Sequence, residues 1–248
     1  MVLEEFLEGE ELSLLAVCDG ERAVPLAPAQ DYKRIFDGDE GPNTGGMGSY
    51  SPVPGVDAEQ IDELARQVHQ PIVDELRHRG TPFHGILYAG LMMTAAGPKV
   101  LEYNCRFGDP ETQAVLPRLR SDVIELLEGS TRPGGLAGVR PDWSPDWSVT
   151  LVLASRGYPD SSSKGDVIEG LEEAAASEHV EVLHAGTAER DGQVVTHGGR
   201  VLNVTGMGPG PAEARDRAYE AAERISFDGR QIRTDIAARA VDRVEALR

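Results

Sequence analysis

The sequence predicts an α+β fold, in which short strands pair as hairpins and amphipathic helices pack against them. Three tight-turn signals lie between apolar stretches: Asp19-Gly20, Gly97-Pro98 and Asp191-Gly192. Turns of this kind typically join two antiparallel strands. Other segments, such as residues 57–80, repeat apolar residues with helical spacing. Hairpins and helices that occur in separate runs indicate α+β rather than alternating β/α architecture.

Composition excludes several classes of protein. The chain has 248 residues, 40% of them hydrophobic, and 24 Lys+Arg against 42 Asp+Glu give a net charge of −18. A hydrophobic fraction this high is incompatible with a disordered chain. No stretch has the roughly 20 apolar residues that span a bilayer. The electrostatic field of a chain with this net negative charge repels nucleic acid and anionic membranes. Two cysteines fit a reducing cytosol, so we expect a cytoplasmic protein.

The elements of the first half follow from local patterns. Strands are expected over residues 1–7, 10–17 and 22–26, and residues 27–55, rich in Gly, Pro, Asn and Asp, read as one long loop. Asp57 and Gln60 form a capping-box pattern that begins a helix reaching Gly80, with a kink at Pro71. The apolar residues 83–93 and the returning segment 99–105 predict a hairpin.

The second half contains a helix, a linker and a smaller module. A helix with Pro117 inside it is expected over residues 111–127. Residues 129–146 are rich in Gly, Pro, Ser and Asp and resemble a linker. Beyond it we expect strands and helices over residues 148–155, 180–186, 200–205, 211–225 and 234–247. The predicted domains are therefore residues 1–135 and 136–248.

One strand places polar side chains in a row. Because successive strand residues alternate faces, Glu102, Asn104 and Arg106 share one side of the segment 100–106. Carboxylate and amide oxygens suit Mg²⁺, and the arginine suits an anion. The alternative is an ordinary strand with a polar solvent face. Asp109 follows at a helix start with Pro110 near the first helical position, where it serves as a ligand contact or only as the N-cap.

A glycine-rich segment covers residues 37–48. Glycines let backbone N–H groups approach a ligand and form anion-binding concavities. The segment is neither a Walker A loop, since no Gly-Lys-Ser/Thr follows, nor a dinucleotide-binding turn. Lys33 and Arg34 lie just before it, which favours a small polar or phosphorylated ligand. The alternative is a flexible surface loop.

The segment 3–11 is acidic and begins the chain's first apolar stretch. A strand end that pairs with a flat base, followed by an acid that reaches a ribose, would form an adenosine site. A charged edge strand explains the same residues. The histidines are scattered and suggest no metal site, and no Ser-His-Asp pattern is present.

Taken together, these segments resemble the phosphoribosylamine–glycine ligases (glycinamide ribonucleotide synthetases), a family of the ATP-grasp superfamily. The strings that carry the resemblance are Glu4-Glu-Phe-Leu7 with Gly9-Glu-Glu11, Gln30-Asp-Tyr-Lys-Arg34, Gly41-Pro-Asn-Thr-Gly-Gly-Met-Gly48, Gly85-Ile-Leu-Tyr-Ala-Gly-Leu-Met92 and Glu102-Tyr-Asn-Cys-Arg-Phe-Gly-Asp-Pro-Glu-Thr-Gln113. In the tail they are Ser155-Arg-Gly-Tyr-Pro159, His184-Ala-Gly-Thr187 and Gly198-Gly-Arg-Val-Leu-Asn203. The resemblance covers essentially the whole chain.

The resemblance implies a role for each matching residue. Glu102 and Asn104 match the family's Mg²⁺ ligands, with Mn²⁺ as a substitute ion, and Arg106 matches a catalytic arginine near the transferring phosphoryl group. The residues that match the ATP-binding hinge and its ribose-binding acid are Glu4, Glu5, Leu7 and Glu11. The residues expected to bind glycine and phosphoribosylamine are Lys33, Arg34, Asn43, Thr44, Gly45, Gly46 and Asp109.

The implied reaction phosphorylates glycine with ATP, and the amine of phosphoribosylamine then attacks the glycyl phosphate. The chain departs from the family pattern because it starts at the hinge, without the substrate domain, glycine-rich lid and phosphate-binding lysines. We therefore expect a partial ATP-grasp module followed by a small C-terminal α+β domain, with the N-terminal half encoded upstream. The alternatives are a non-catalytic fragment or subunit that needs that half, and a different ATP-grasp ligase.

Overall fold

The computed structural model describes residues 3–246. Its strands are β1 (Glu10–Asp19), β2 (Ala23–Pro25), β3 (Gln30–Asp31), β4 (Arg34–Phe36), β5 (Glu40–Asn43), β6 (Gly48–Ser51), β7 (His84–Thr94), β8 (Gly97–Asn104), β9 (Trp147–Ala154), β10 (Val180–His184), β11 (Thr187–Arg190), β12 (Gln193–Thr196) and β13 (Arg200–Gly208). Its α-helices are α1 (Ala58–Leu64), α2 (Gln70–His78), α3 (Glu111–Val115), α4 (Val123–Ser130), α5 (Leu171–Ala175), α6 (Pro211–Arg224) and α7 (Ala238–Ala246). No helix in the described part of the chain is long and apolar enough to span a membrane.

The chain divides into two compact units that interleave in sequence. The first contains the residues up to Gln30 together with Gly55–Gly108 and Leu119–Trp143. The second contains Asp31–Pro54, Asp109–Arg118 and everything from Ser144 onward. This division does not coincide with a single cut at residues 135/136, because two earlier segments of the chain belong to the second unit. The domain boundary drawn from the sequence remains a prediction.

The first unit is built on an antiparallel sheet with the order β2-β1-β7-β8. Strand β1 pairs along its whole length with β7, from Glu10 opposite Met93 to Asp19 opposite His84. Every β1 residue after Glu11 is buried, which explains why its sequence is nearly continuous in apolar residues. Val73 of α2 packs on this sheet and is completely buried with Ala16 and Cys18. The predicted hairpins at both ends of this sheet are confirmed.

The helix predicted over residues 57–80 is present but interrupted. The Asp57 side chain accepts a hydrogen bond from the Gln60 backbone, and the Gln60 side chain accepts one from the Asp57 backbone, so the capping box is confirmed. A π-helical turn over Ala65–His69 separates α1 from α2. Pro71 follows just after this turn, at the start of α2, and has no N–H to donate to the preceding turn. A kink at Pro71 was predicted, and the irregularity in the helix is this π-helical turn just before the proline.

Three other local predictions were wrong. Residues 3–8 have no strand. The helix predicted over residues 111–127 is two helices, α3 and α4, separated by a 3₁₀ turn at Leu116–Arg118 that contains Pro117. The predicted loop 27–55 contains the short strands β3–β6, and α5 was not predicted. The split helix reflects the effect of Pro117, which was underestimated, and strand β6 depends on β9, far away in the sequence.

The predicted linker 129–146 is ordered where it meets the first unit. Leu136 is buried, and its N–H donates to the Asp19 carboxylate over 2.9 Å. The other oxygen of Asp19 accepts the N–H groups of Glu21 and Arg22. These hydrogen bonds lower the pKa of the Asp19 carboxyl against the opposing effect of its burial, which is the largest single influence on it. The segment is therefore part of the fold of this unit.

The second unit contains a five-stranded sheet with the order β10-β13-β9-β6-β3. Strand β13 pairs antiparallel with β9, which in turn pairs with β6. Helix α6 packs closely on β13, since a Cβ atom at Gly206 would lie 2.4 Å from the Ala214 carbonyl oxygen. The hairpin β11–β12 turns at Asp191-Gly192, and α6 matches its predicted range, so both predictions are confirmed.

A buried arginine holds the segment 34–39 of the second unit. The Arg233 side chain is fully buried and forms a fork with the Asp235 carboxylate, with N···O distances of 2.6 and 2.7 Å. It also donates to Asp39 over 3.0 Å and lies over the ring of Tyr32, 4.7 Å from its centre. These contacts fix the backbone that leads into the glycine-rich segment.

Candidate functional site

Strand β8 brings the two expected metal ligands together. The Asn104 amide Nδ2 donates to Glu102 Oε1 over 3.2 Å, so the two side chains lie on the same face. In the sheet Glu102 is opposite Gly90, and Asn104 is opposite Tyr88. A bulge at Leu101 shifts the register just before this pair. A bulge bends the strand and re-aims side chains, which is why such irregularities often accompany functional sites.

The oxygens of this pair fit a hard divalent cation. The hydrogen bond between them leaves Glu102 Oε2 and Asn104 Oδ1 as further oxygen donors on one exposed face. Gly90 lies opposite Glu102, and a Cβ there would be in ordinary van der Waals contact with Glu102 Cγ at 3.4 Å. No group of three or more His, Cys, Asp and Glu residues gathers around a metal position among residues 3–246. A cation with two protein ligands takes its other ligands from water and phosphate, as Mg²⁺ commonly does.

The remaining candidates of the first unit are exposed or half-buried. Strand β8 ends at Asn104, so Arg106 lies beyond the regular alternation, and its guanidinium donates to the Phe107 carbonyl over 2.7 Å. Leu7 is half-buried, whereas Glu4 and Glu5 are exposed, and Glu5 forms an ion pair with Lys99 at 3.6 Å. Glu11 is the second residue of β1, opposite Met92, and its carbonyl accepts from the Gln30 side chain.

The second unit contains the cationic candidates that precede the glycine-rich segment. Lys33 is bound by both oxygens of Asp31, at 3.1 and 3.2 Å, and the Asp31 side chain is only 5% exposed. Arg34 donates to the Gly41 carbonyl over 2.6 Å and is paired with Asn43 between β4 and β5. The Arg34 side chain thus stabilises the segment that the sequence left open as a flexible loop, whereas the Lys33 side chain is held by Asp31 just before it.

The loop 41–48 is held by hydrogen bonds of the Thr44 hydroxyl and of two glycine N–H groups. The Thr44 hydroxyl donates to the Lys33 carbonyl over 2.8 Å and accepts the N–H of Gly46 over 2.9 Å. The N–H of Gly45 donates to the Tyr158 hydroxyl over 2.9 Å. Both glycine N–H groups, which the sequence suggested as anion donors, are thus engaged within the protein. Gly46 has φ of +108°, and a Cβ there would lie 2.4 Å from Pro110 Cδ.

Asp109 is a loop anchor and does not cap the following helix. The N-cap position of α3 is Pro110, which has no side-chain cap, so the expectation that Pro110 lies inside the helix and Asp109 caps it was wrong. The Asp109 carboxylate instead accepts from Gln113 over 3.0 Å and from Arg200 over 3.1 Å. The contact with Arg200 is charge-assisted, which makes it stronger than a hydrogen bond between two neutral groups.

Comparison with known proteins identifies the family. The model of the phosphoribosylglycinamide synthetase ATP-grasp (A) domain matches residues 1–112, and that of the C domain of the same enzyme matches residues 148–239. The chain belongs to the phosphoribosylglycinamide synthetase family. Its first matched part has the ATP-grasp fold, so the resemblance and fold class inferred from the sequence are confirmed.

Relatives of this synthetase-family chain are longer than the chain itself. It is 56% identical to the phosphoribosylamine–glycine ligase of Streptomyces coelicolor over 97% of this chain and 58% of that protein. The crystal structure of the Thermotoga maritima phosphoribosylamine–glycine ligase superimposes with a TM-score of 0.80 at 40% identity, covering 94% of this chain and 57% of that one. The biotin carboxylase subunit of a pyruvate carboxylase shares the fold alone, with a TM-score of 0.61, 12% identity and coverage of 90% of this chain and 47% of that one.

Two residues of this synthetase-family site were missed by reasoning from the sequence. Arg200 donates to the carbonyls of Gly45 and Asp109, and Tyr158 accepts from Gly45. Both lie inside strings that carried the resemblance, but no local pattern marks either residue. Their partners are 91 to 155 residues away in the chain, and only the folded second unit brings them together.

Proposed function

We propose that the protein acts in the ATP-dependent ligation of glycine to 5-phosphoribosylamine, which yields glycinamide ribonucleotide, ADP and phosphate through a glycyl phosphate. The single observation that carries the proposal is the Glu102–Asn104 pair on β8, in a chain whose relatives are phosphoribosylamine–glycine ligases. Phosphoryl transfer needs charge neutralisation and positioning more than a side-chain nucleophile. The exposed oxygens of the pair match that need.

The first unit would bind the nucleotide. Glu102 and Asn104 would hold Mg²⁺, or Mn²⁺ in its place, and the metal when bound would neutralise charge on the nucleotide phosphates. Arg106 has an exposed guanidinium, whose fork geometry suits the oxygens of a transferring phosphoryl group. The residues proposed to bind adenine and ribose are Glu4, Glu5, Leu7 and Glu11.

The second unit would bind the acceptor and the amine. The carboxylate of glycine and the phosphate of phosphoribosylamine are anions, and the loop 41–48 follows two cationic side chains, Lys33 and Arg34. Asp109 provides a carboxylate that suits an amine, and Arg200 fixes its direction. Asn43 and Thr44 add a polar side chain each. The two free cysteines, Cys18 and Cys105, fit the reducing cytoplasm in which we place the reaction.

A second candidate function, substrate binding without turnover, follows from the greater length of the relatives. Since the chain spans about 58% of the curated ligases that it matches, it would bind substrates without turnover if the remaining part of those enzymes were required. Different ATP-grasp ligases share the fold at only 12–15% identity, and the family match argues against them.

The test is glycine- and phosphoribosylamine-dependent release of ADP, with Mg²⁺ varied. The chain would be assayed alone and again after addition of the part of the Streptomyces coelicolor ligase that it does not match. Turnover alone supports ligation by this chain, and turnover only after addition supports the substrate-binding alternative. ADP release that does not depend on glycine in either assay would refute the proposed ligation.

The metal assignment has its own variant and control. Glu102→Gln should raise the Mg²⁺ concentration for half-maximal rate by about tenfold or more, because a neutral amide is a poor ligand for a hard cation. Glu181→Gln changes an exposed strand glutamate of the second unit and should leave that concentration unaltered. An equal Mg²⁺ requirement in both variants would remove Glu102 from the metal site.

A further inference from the structure

Arg200 occupies a position that the assigned roles do not explain. It is the first residue of β13, and its side chain is 21% exposed. One terminal nitrogen donates to two carbonyl oxygens, those of Gly45 and Asp109, each over 2.6 Å, and the other donates to Asp109 Oδ2 over 3.1 Å. A single guanidinium thus ties two segments of the second unit that are 64 residues apart in the chain.

The loop is shaped to fit this guanidinium. A Cβ atom at Gly45 would lie 3.0 Å from Arg200 Cζ, so a larger residue there would displace the guanidinium by a few tenths of an ångström. Gly46 approaches the other segment in the same way, with its Cα facing the ring of Pro110. The two glycines therefore pack directly on the arginine and on the turn that it holds.

Tyr158 supports the same loop from a third segment. Its hydroxyl accepts the Gly45 N–H, and its ring is packed against Gly199, where a Cβ would lie 2.4 Å from the ring. Because Gly199 immediately precedes Arg200, the tyrosine ring lies against the same stretch of backbone that carries the arginine. The carbonyl of Gly45 is bound by Arg200 and its N–H by Tyr158, so the peptide groups on both sides of this residue are fixed.

We propose that Arg200, supported by Tyr158, is a positioning residue that fixes the loop 41–48 against the Asp109–Pro110 turn. It acts on substrate through these segments and is not itself a catalytic residue. The consequence rests on the proposed function, because the loop and Asp109 are the parts expected to bind glycine and phosphoribosylamine. Lysine would keep the charge but has one nitrogen, which cannot reproduce donation to two carbonyls and a carboxylate in fork geometry.

Amide hydrogen exchange of the full 248-residue chain tests the structural half without any ligand. Arg200→Lys should speed exchange at Gly45 and Gly46 by about tenfold or more relative to the amides of β9, which serve as an internal reference. Tyr158→Phe removes only the acceptor of one N–H and should speed exchange mainly at Gly45. Arg224→Lys, which changes an exposed arginine with one carbonyl contact in the same unit, should alter neither.

An unchanged ratio of loop to β9 exchange in both Arg200→Lys and Tyr158→Phe would overturn the proposal. A variant that unfolds would raise both rates together, and Tyr158→Phe, which deletes a single oxygen, then decides the question. Exchange confined to the loop supports the proposal even if the wild-type protein shows no ligation, so failure of the proposed function is recognised separately.

Kinetics tests the consequence for substrate, in whichever assay mixture gives turnover. Arg200→Lys should raise the KM for glycine and for phosphoribosylamine by about tenfold, while the KM for ATP stays within about twofold of wild type. A general loss of folded protein would lower the rate without this split between substrates. An equal change in all three KM values, or none, would overturn the link between Arg200 and the substrate loop.

Discussion

Buried His69 makes the stability of the first unit depend on pH in a direction that can be worked out in advance. The residue is fully buried in the π-helical turn between α1 and α2, and its Nε2 lies 3.2 Å from the Leu14 carbonyl oxygen. A carbonyl only accepts, so the ring is the neutral tautomer with its proton on Nε2. Nδ1 is buried with no hydrogen-bond partner among the described residues. Burial lowers the pKa of His69 to about 4, and the contact with Leu14 offsets only part of this effect.

The direction of this pH dependence follows from the protonation of His69 in the folded and in the unfolded protein. The unfolded chain binds a proton at His69 near pH 6.5, whereas the folded protein binds it only near pH 4. Stability from this residue is therefore complete above pH 6.5 and is lost as the pH falls towards 4, after which it changes no further. Each pH unit within that window is worth about 1.4 kcal/mol, so the free energy of unfolding should fall by about 2.5 kcal/mol between pH 7 and pH 4.5.

Urea denaturation at pH 7, 6, 5 and 4.5 measures this loss. His69→Gln retains a donor for the Leu14 carbonyl but cannot titrate. Both proteins would carry Trp147→Phe, so that Trp143, the last residue of the first unit, reports its unfolding. Carboxylates titrate alike in both, and the His69 protein should lose about 2.5 kcal/mol more than the variant. Equal losses in the two proteins would refute the reasoning. Titration of the His69 ring itself near pH 6.5 in the folded protein would refute it as well.

Two further predictions concern the second unit. Gly46→Ala adds a methyl group against Pro110 at a φ of +108° and should destabilise the unit by about 1–3 kcal/mol more than Gly192→Ala in the same unit, where φ is also positive but nothing lies within 4 Å. Thermal denaturation compares the two variants, and equal costs would contradict the close approach of Gly46 to Pro110. Arg233→Met should cost about 1–3 kcal/mol, because it removes the buried partner of the Asp235 carboxylate, whereas Asp39 is 41% exposed and keeps its ion pair with Arg239. A cost below about 0.5 kcal/mol in urea titrations would show that this cluster contributes little.

Local patterns predicted those elements whose causes are local. The capping box of α1 needs only Asp57 and Gln60, three residues apart, and the structure contains both of its hydrogen bonds. Strand β1 is recognisable because the sheet buries it on both faces, which produces a continuous apolar sequence. The strands in the predicted loop 27–55 differ, since β6 lies between β3 and β9, and β9 is about one hundred residues away. No pattern within the loop carries that information.

In the candidate site, too, the features with local causes were predicted and those with distant partners were not. The alternation of β8 predicted that Glu102 and Asn104 share a face, and a hydrogen bond now joins them. The bulge at Leu101 and the end of the strand before Arg106 were not predictable, because both depend on the pairing with β7. Arg200 escaped notice for a similar reason: an arginine after two glycines has no local signature, and its role appears only when Gly45 and Asp109 are brought to it.

The string from Glu102 to Gln113 gains its specificity from two different tasks. Its first part supplies the oxygen pair of β8 in the first unit, and from Asp109 onward it belongs to the second unit, where it anchors the loop 41–48 through Arg200. Each part alone has an ordinary explanation, as a polar strand face or as a helix start. A sequence that must satisfy both within twelve residues has few substitutions open to it. Asp109 illustrates the constraint, because asparagine would serve equally well at a helix cap but cannot supply the carboxylate that Arg200 and Gln113 both bind.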